Sequence, residues 1–260
     1  MIIKFQKFQG AGNDFIIIDN RTLVYDFTPD RVKFLCDRKF GIGADGLMLL
    51  EDCPEYDFRM RYFNADGKEA SMCGNGGRCI TVFAHNLGLF SESTRFAAVD
   101  GPHEARLTSR GVQLKMCDVQ EVIMTDRYYF LHTGSPHCVI QSEQAFEEDV
   151  LSEGRRIRYS KAFQPEGTNV DFITPRPDYI EVATYERGVE NETLACGTGC
   201  VASALSVAIF RNDTHNTYDI HTKGGNLQVS FVRHPGNYFS DIWLEGPAEC
   251  VFTGEIEIKN

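Results

Sequence analysis

The sequence predicts two similar α/β halves, the second with a curved sheet wrapped around a buried helix, and three observations lead there. Cys-Gly-x-Gly occurs twice, in Met72-Cys73-Gly74-Asn75-Gly76-Gly77 and in Ala195-Cys196-Gly197-Thr198-Gly199, and each copy runs directly into an apolar helical pattern. Short segments rich in β-branched and aromatic residues, punctuated by glycine, outnumber helices along the rest of the chain. The helix after Cys196 has almost no polar face, since Val201, Ala202, Ala204, Leu205, Val207, Ala208, Ile209 and Phe210 crowd it. Such a helix must be buried on nearly all sides, which a sheet wrapped around it achieves.

Taken in order, the N-terminal residues 1–8 alternate like a strand, and Phe15 to Asp19 forms the next one. Thr28-Pro29-Asp30 supplies an N-cap with proline at the first helical position, and that helix is expected to close at Gly41. Strands follow at Leu47 to Glu51 and Phe58 to Phe63. The helix after the first cysteine carries Ile80, Phe83, Ala84 and Leu87 at helical spacing over Arg78 to Leu87 and stops at Gly88. Further strands are predicted at Gly111 to Met116, Tyr128 to His132, His137 to Gln141, Ile180 to Tyr185, Leu227 to Val232 and Phe239 to Leu244.

The two halves repeat an order of parts. The first runs Gly10-Ala11-Gly12-Asn13, then Gly41-Ile42-Gly43-Ala44-Asp45, then the strand end Phe63-Asn64, then Cys73 and its helix. The second runs Thr133-Gly134-Ser135-Pro136-His137, then Gly167-Thr168-Asn169, then the strand end Tyr185-Glu186-Arg187-Gly188, then Cys196 and its helix. Two domains with a cleft between them are the expected result. The expected division is 1–117, with a C-terminal strand over 249–260 returning to it, and 118–248.

Composition narrows the function. The chain has 260 residues, 42% hydrophobic and 12% aromatic, enough for one large or two linked cores. A formal net charge of −11, with no Lys/Arg-rich block, argues against nucleic acid or an anionic membrane and favours a small-molecule partner. The N-terminus has no secretory pattern and no apolar run is long enough to span a bilayer, so a cytoplasmic protein is expected. In a reducing compartment nine cysteines serve packing, metal binding or catalysis rather than disulfides. Cys36, Cys53, Cys117, Cys138 and Cys250 are expected to be small core hydrophobes.

Two motifs are set aside. Gly41 to Gly46 spells Gly-x-Gly-x-x-Gly, but a helix precedes it and a strand follows, the reverse of a dinucleotide fold. Cys73/Cys79 and Cys196/Cys200 do not have zinc-ribbon spacing, and the second member of each pair lies inside an apolar helix, so no metal is expected.

A cysteine at a helix N-terminus faces unsatisfied N–H groups and the positive end of the dipole, which favour a thiolate. Glycines in one such turn would be explained by backbone freedom alone. Two copies in matching places point instead to a pair of acid/base groups acting on one small substrate. Two helix N-termini aimed at an amino-acid carboxylate would also stabilise charge building on its oxygens as the α-proton leaves. His137, beside the Ser135 loop, and the polar strand ends Asn64, Asn169, Glu186 and Arg187 are candidates to complete the site. A non-catalytic amino-acid-binding protein and a thiol redox protein cycling a Cys73–Cys196 disulfide are alternative readings of these residues.

Gly12-Asn13-Asp14-Phe15, Gly41 to Leu50, Phe63-Asn64-Ala65-Asp66-Gly67, Met72 to Cys79, Ser135-Pro136-His137, Glu166-Gly167-Thr168-Asn169, Glu186-Arg187-Gly188 and Ala195 to Gly199 together resemble the diaminopimelate epimerase family. Proline racemases and hydroxyproline epimerases are the nearest alternative, but they typically carry histidine where Asn75 stands and lack the Glu-Arg-Gly segment. The resemblance implies two pseudo-symmetric domains, each a mostly antiparallel sheet rolled around a central helix. It also implies no pyridoxal phosphate or metal, a homodimer, and a place in lysine and peptidoglycan precursor synthesis. On that pattern Cys73 and Cys196 are the catalytic pair, and His137 and Glu186 modulate their pKa values. Asn13, Asn64, Gly74, Asn75, Asn169, Glu186, Arg187, Gly197 and Thr198 bind the substrate. Many members have asparagine in place of Ser135 and some have glutamine in place of Gly46, so substrate contacts at those two positions are not carried over.

Overall fold

The computed structural model describes residues 2–25, 27–212 and 214–258. Met1 and the last two residues of the expected strand over 249–260 lie outside them. The chain divides into two compact units, Met1–Leu114 with Gly246–Asn260, and Lys115–Glu245. The crossings fall at 114/115 and 245/246, against the expected 117/118 and 248/249.

The first unit contains β1 (Ile2–Gly10), β2 (Asn13–Asp19), α1 (Pro29–Cys36), β3 (Gly46–Glu51), β4 (Phe58–Asn64), β5 (Glu69–Ala70), α2 (Gly74–Asn86), β6 (Ser93–Ala98), β7 (Gly101–Thr108) and β8 (Gly111–Lys115). The second contains β9 (Val122–Met124), β10 (Tyr129–His132), β11 (Pro136–Gln141), α3 (Val150–Arg158), β12 (Asn169–Pro175), β13 (Tyr179–Glu186), β14 (Asn191–Thr193), α4 (Gly197–Arg211), β15 (Thr217–Thr222), β16 (Gly225–His234) and β17 (Tyr238–Gly246). The last strand, β18 (Glu249–Glu257), pairs antiparallel with β1.

Each unit builds the same sheet. In the first the neighbours run β18-β1-β2-β3-β4-β6-β7-β8, with β5 on the end of β4; β2–β3 and β4–β6 are parallel and the other pairs antiparallel. In the second they run β9-β10-β11-β12-β13-β15-β16-β17, with β14 on β13; β11–β12 and β13–β15 are parallel. Helix α2 packs against β1, β2, β3, β7 and β18, and α4 against β10 to β13, β15 and β16, so each sheet has its central helix on one face. The other face carries the smaller helix, α1 on β3 and α3 on β12 and β13. Strands covered on both faces read as continuous apolar runs, as in Phe15-Ile16-Ile17-Ile18, where Ile16 and Ile18 join Val32 and Leu35 of α1 in one cluster. From Gly199 to Ala208 every residue of α4 is buried, as its composition predicts, but in the last turn Ile209 is only partly covered and Phe210 is exposed, so the all-round burial stops short of the helix end.

The differences from expectation have local causes. Helix α1 ends at Cys36, not Gly41, because the Asp37 carboxylate accepts the N–H groups of Lys39 and Phe40 and turns the chain. Gly41 then passes so close to the helix that a Cβ there would lie 1.9 Å from the Phe34 carbonyl oxygen. Helix α3 escaped the sequence reading because Gly154 interrupts its pattern. A Cβ at Gly154 would sit 2.4 Å from Cβ of Tyr185, so the glycine lets α3 pack on β13. The sequence reading also has no counterpart for strands β5, β6, β7, β9, β12, β14 and β15. Among the cysteines, Cys36 and Cys138 are buried, but Cys53 is only partly covered and Cys117 and Cys250 are exposed, which corrects the expectation that all five are core residues.

Candidate active site

Both cysteines are helix N-caps with extended backbone, Cys73 at φ −94°, ψ 134° before α2 and Cys196 at φ −110°, ψ 114° before α4. Gly74 and Gly197 are therefore the first helical residues, and Asn75 and Thr198 the second.

In the first unit, Ala11 and Gly12 both have positive φ (51° and 82°), the backbone a two-residue hairpin turn requires, and they deliver Asn13 to the start of β2. The Cys73 thiol donates to Asn13 Oδ1 across 3.7 Å. Asn13 in turn donates through Nδ2 to Asp45 at 2.5 Å. Arg38 holds this arrangement, donating to both oxygens of Asp14 (2.9 and 2.6 Å) and to Asp45 (2.8 Å), while Lys7 pairs with Asp14 at 2.7 Å and donates to the Gly43 carbonyl. Burial would push the Asp14 carboxyl up, but the hydrogen bonds and charges of Arg38 and Lys7 prevail and hold it far below the ordinary carboxylate range. A second cation lies within α2: Arg78 is fully buried and donates to the Gly74 carbonyl (3.2 Å), to Asn75 Oδ1 (2.8 Å) and to the Pro247 carbonyl (3.4 Å). The Asn75 amide is thereby held with its oxygen toward the guanidinium. Asn64, at the end of β4, is exposed. Gly46, opposite Asn64 in register, leaves no room for a side chain, since a Cβ there would meet Tyr62 Cε2 at 2.5 Å.

In the second unit, Cys196 Sγ lies 3.4 Å from Thr198 Oγ1, which lies 2.9 Å from His137 Nε2. His137 Nδ1 is 2.7 Å from Asp171 Oδ2, with both side chains fully buried, and Thr184 donates to the other Asp171 oxygen at 2.7 Å. The amide of Asn169 donates to Ser135 Oγ (3.0 Å) and the Pro136 carbonyl (2.9 Å) and accepts the Arg187 N–H (2.8 Å). The Arg187 guanidinium donates to the Glu166 carbonyl. Burial is the main force raising the Cys196 thiol well above its ordinary value, with the carboxylates of Glu186 and Asp171 adding to it. Burial likewise raises Glu186.

Thus Cys73, Asn13, Gly74 and Asn75 gather in one unit, and Cys196, Gly197, Thr198, His137, Asn169, Glu186 and Arg187 in the other. Sequence reasoning missed Lys7, Asp14, Arg38, Asp45 and Arg78 in the first, and Asp171 and Thr184 in the second. The signal for Asp171 was available: one carboxylate in the apolar strand Asn169-Val170-Asp171-Phe172-Ile173 has no place in a core unless it is paired.

The family model described as diaminopimelate epimerase matches residues 5–122 and 129–250. A relative from Flavobacterium psychrophilum named diaminopimelate epimerase is 45% identical over 253 residues, covering 96% of this chain and 98% of its own. The chain belongs to the diaminopimelate epimerase family. A second relative of that name, from Chlorobaculum tepidum, is 43% identical and covers 96% and 99%. Solved structures share the fold at low identity. A phenazine biosynthesis protein of the PhzF family from Bacillus anthracis has a TM-score of 0.77 at 14% identity, covering 99% of this chain and 100% of that one. A hydroxyproline epimerase from Agrobacterium vitis has a TM-score of 0.66 at 13% identity, covering 98% and 92%. The rolled, mostly antiparallel sheets read from the family resemblance are the observed ones. The 45% relative favours the diaminopimelate epimerase branch over the proline racemase branch, whose likeness is one of fold. Among the described residues, no helix is long and apolar enough to cross a membrane.

Proposed function

We propose that the chain interconverts LL-2,6-diaminopimelate and meso-diaminopimelate, as a cytoplasmic homodimer supplying lysine and peptidoglycan precursors, without pyridoxal phosphate or metal. The observation that carries this reading is the pair of cysteines capping α2 and α4 in a chain of this family. Inverting a stereocentre needs a base on one face of the carbon and an acid on the other. One cysteine takes the α-proton as thiolate, the other delivers a proton as thiol, and the roles exchange in the reverse reaction. Cys73 is assigned to the LL isomer and Cys196 to the meso isomer.

The N-terminal N–H groups of α2 and α4, at Gly74, Asn75, Gly197 and Thr198, take the carboxylate at the reacting carbon and stabilise the charge that grows on it. Arg187, with its planar fork, takes the distal carboxylate, and Asn13, Asn64, Asn169 and Glu186 serve the ammonium and distal groups. His137 and Glu186 tune the thiols. The raised pKa of Cys196 fits a residue that rests as a thiol, ready to donate.

Chiral chromatography of LL-diaminopimelate incubated with metal-free protein and no added cofactor tests the activity; protein inactive until pyridoxal phosphate is added would defeat it. In heavy water, early product is expected to carry deuterium at the inverted carbon while recovered substrate stays protiated. Cys73→Ala and Cys196→Ala are each expected to abolish inversion, and appreciable epimerase activity in either would end the two-thiol mechanism.

A further inference from the structure

We propose that Asp171 is a positioning residue whose carboxylate sets the direction of a hydrogen-bond chain running from itself through His137 and Thr198 to Cys196. The proposal rests on the reading of Cys196 as an acid/base group and adds a residue that reading does not use.

The geometry is contained in the second unit. Asp171 on β12 and His137 on β11 are fully buried and 2.7 Å apart, and Thr184 on β13 fills the remaining Asp171 oxygen. A carboxylate accepts and cannot donate, so His137 must present its proton on Nδ1. Nε2 is then the acceptor end of the neutral ring, 2.9 Å from the Thr198 hydroxyl at the start of α4. With that hydroxyl donating to Nε2, the lone pairs of Thr198 Oγ1 are available to the Cys196 S–H at 3.4 Å. Asn169 Nδ2 and Ser135 Oγ stand at 3.3 and 3.0 Å from the same nitrogen and hold the ring edge in place.

This chain moves a proton without moving electrons. The Cys196 S–H bond breaks as a new O–H forms on Thr198, and the original Thr198 O–H breaks as N–H forms on His137 Nε2. The hydroxyl is then turned to donate to the sulfur it had accepted from, so a proton on the histidine accompanies a charge on Cys196. The Asp171 carboxylate offsets the positive ring in that state and fixes the tautomer in the other. Position also matters: a Cβ at Gly199, in the first turn of α4, would lie 2.4 Å from Asp171 Oδ1, so the carboxylate sits directly beneath the helix start that presents Cys196. Without Asp171 the imidazole is free to place its proton on Nε2, and the chain then runs the wrong way.

The test uses the full-length protein labelled with 15N histidine, the His137 signal being assigned by its loss in His137→Gln. In the wild type, neutral His137 is expected to be the Nδ1–H tautomer; a ring protonated on Nε2 alone overturns the proposal whatever the substrate of the enzyme. Asp171→Asn, which keeps the volume, is expected to give a mixture of tautomers. Its kcat for diaminopimelate epimerisation is expected to fall about 10- to 100-fold, the range for losing a charge-assisted hydrogen bond. KM is expected to stay within about threefold, because Asp171 does not touch substrate. A kcat within threefold of wild type also overturns the proposal. Should the variant not fold, the wild-type tautomer alone decides. A wild type inactive on diaminopimelate defeats the proposed reaction and leaves the spectral result standing.

Discussion

The floors beneath the two central helices are built on matching strands and from opposite chemistry. In parallel register Phe15 faces Gly46 on β2 and β3, as His137 faces Asn169 on β11 and β12; two residues on, Met48 occupies the place of Asp171, and across the next strand Tyr62 occupies that of Thr184. Beneath α2, therefore, lie Phe15, Met48 and Tyr62, and beneath α4 lie His137, Asp171 and Thr184. The first unit places a fully buried charge inside the helix instead, at Arg78, where α4 has Val201. A repeated backbone fixes where each cysteine stands, and the residues packed beneath set its electrostatics: a buried cation in the Cys73 helix, buried or half-buried carboxylates near Cys196.

The largest effect that can break this comparison is expected at Arg78. Arg78→Met retains much of the volume but leaves the Gly74 carbonyl, Asn75 Oδ1 and Pro247 carbonyl without their guanidinium donor. Losing the charged donor costs about 1.5–3 kcal/mol at the buried Asn75 Oδ1 and less at the half-buried Gly74 and Pro247 carbonyls, the former keeping its helical N–H partner. A net loss of about 2–4 kcal/mol is expected in urea unfolding, together with a fall in kcat as Asn75 is released. If the variant keeps both stability and turnover, the buried cation is not what distinguishes the first unit.

A sharper contrast comes from one glycine in each half. A Cβ added at Gly76 would meet Met48 Cε at 2.7 Å, the end of a flexible side chain on an apolar floor. At Gly199 it would meet Asp171 Oδ1 at 2.4 Å and Thr184 Oγ1 at 3.1 Å, both fixed by hydrogen bonds. Gly76→Ala is expected to change stability by less than about 1 kcal/mol, the strain being offset by better helix propensity. Gly199→Ala is expected to cost about 1–3 kcal/mol and to lower kcat through the displaced carboxylate. Equal melting temperatures and equal kcat for the two variants would show that the floors are equally compliant.

What the sequence made legible follows the same division. Cys73 and Cys196 could be placed at helix starts because Cys-Gly-x-Gly followed by an apolar pattern is a local signal. The Thr28-Pro29 cap is local in the same sense. Helix α3 was hidden because Gly154 answers to Tyr185, 31 residues away. Exposure of Cys117 and Cys250 was hidden because a cysteine in a strand pattern does not say which face it occupies. The pairing of Asp171 with His137, 34 residues apart, depends on strand register, which nothing local reports. Arg78 was hidden because an arginine on a helix reads as a solvated residue until its partners, one of them at Pro247, are known.

The smallest effect is expected at Ser135, which stands in the second unit where Asn13 stands in the first. Asn13 accepts from the Cys73 thiol directly, whereas Ser135 touches only the residues around the Cys196 chain: His137 Nε2 at 3.0 Å, Thr198 Oγ1 at 3.3 Å and Asn169 Nδ2 at 3.0 Å. Each of these partners has another. Asn169 Nδ2 also donates to the Pro136 carbonyl at 2.9 Å, and His137 Nε2 and Thr198 Oγ1 meet each other at 2.9 Å. Removing the hydroxyl therefore strands no buried group, and the cost is that of one shared hydrogen bond. Ser135→Ala is expected to lower kcat/KM for diaminopimelate less than tenfold, under roughly 1.4 kcal/mol. Asn13→Ala, which removes the oxygen that accepts from the Cys73 thiol, is expected to lose distinctly more in the same assay. A loss of a hundredfold or more in Ser135→Ala would mean that the serine contacts substrate itself, and that the two halves are closer in function at this position than their side chains suggest.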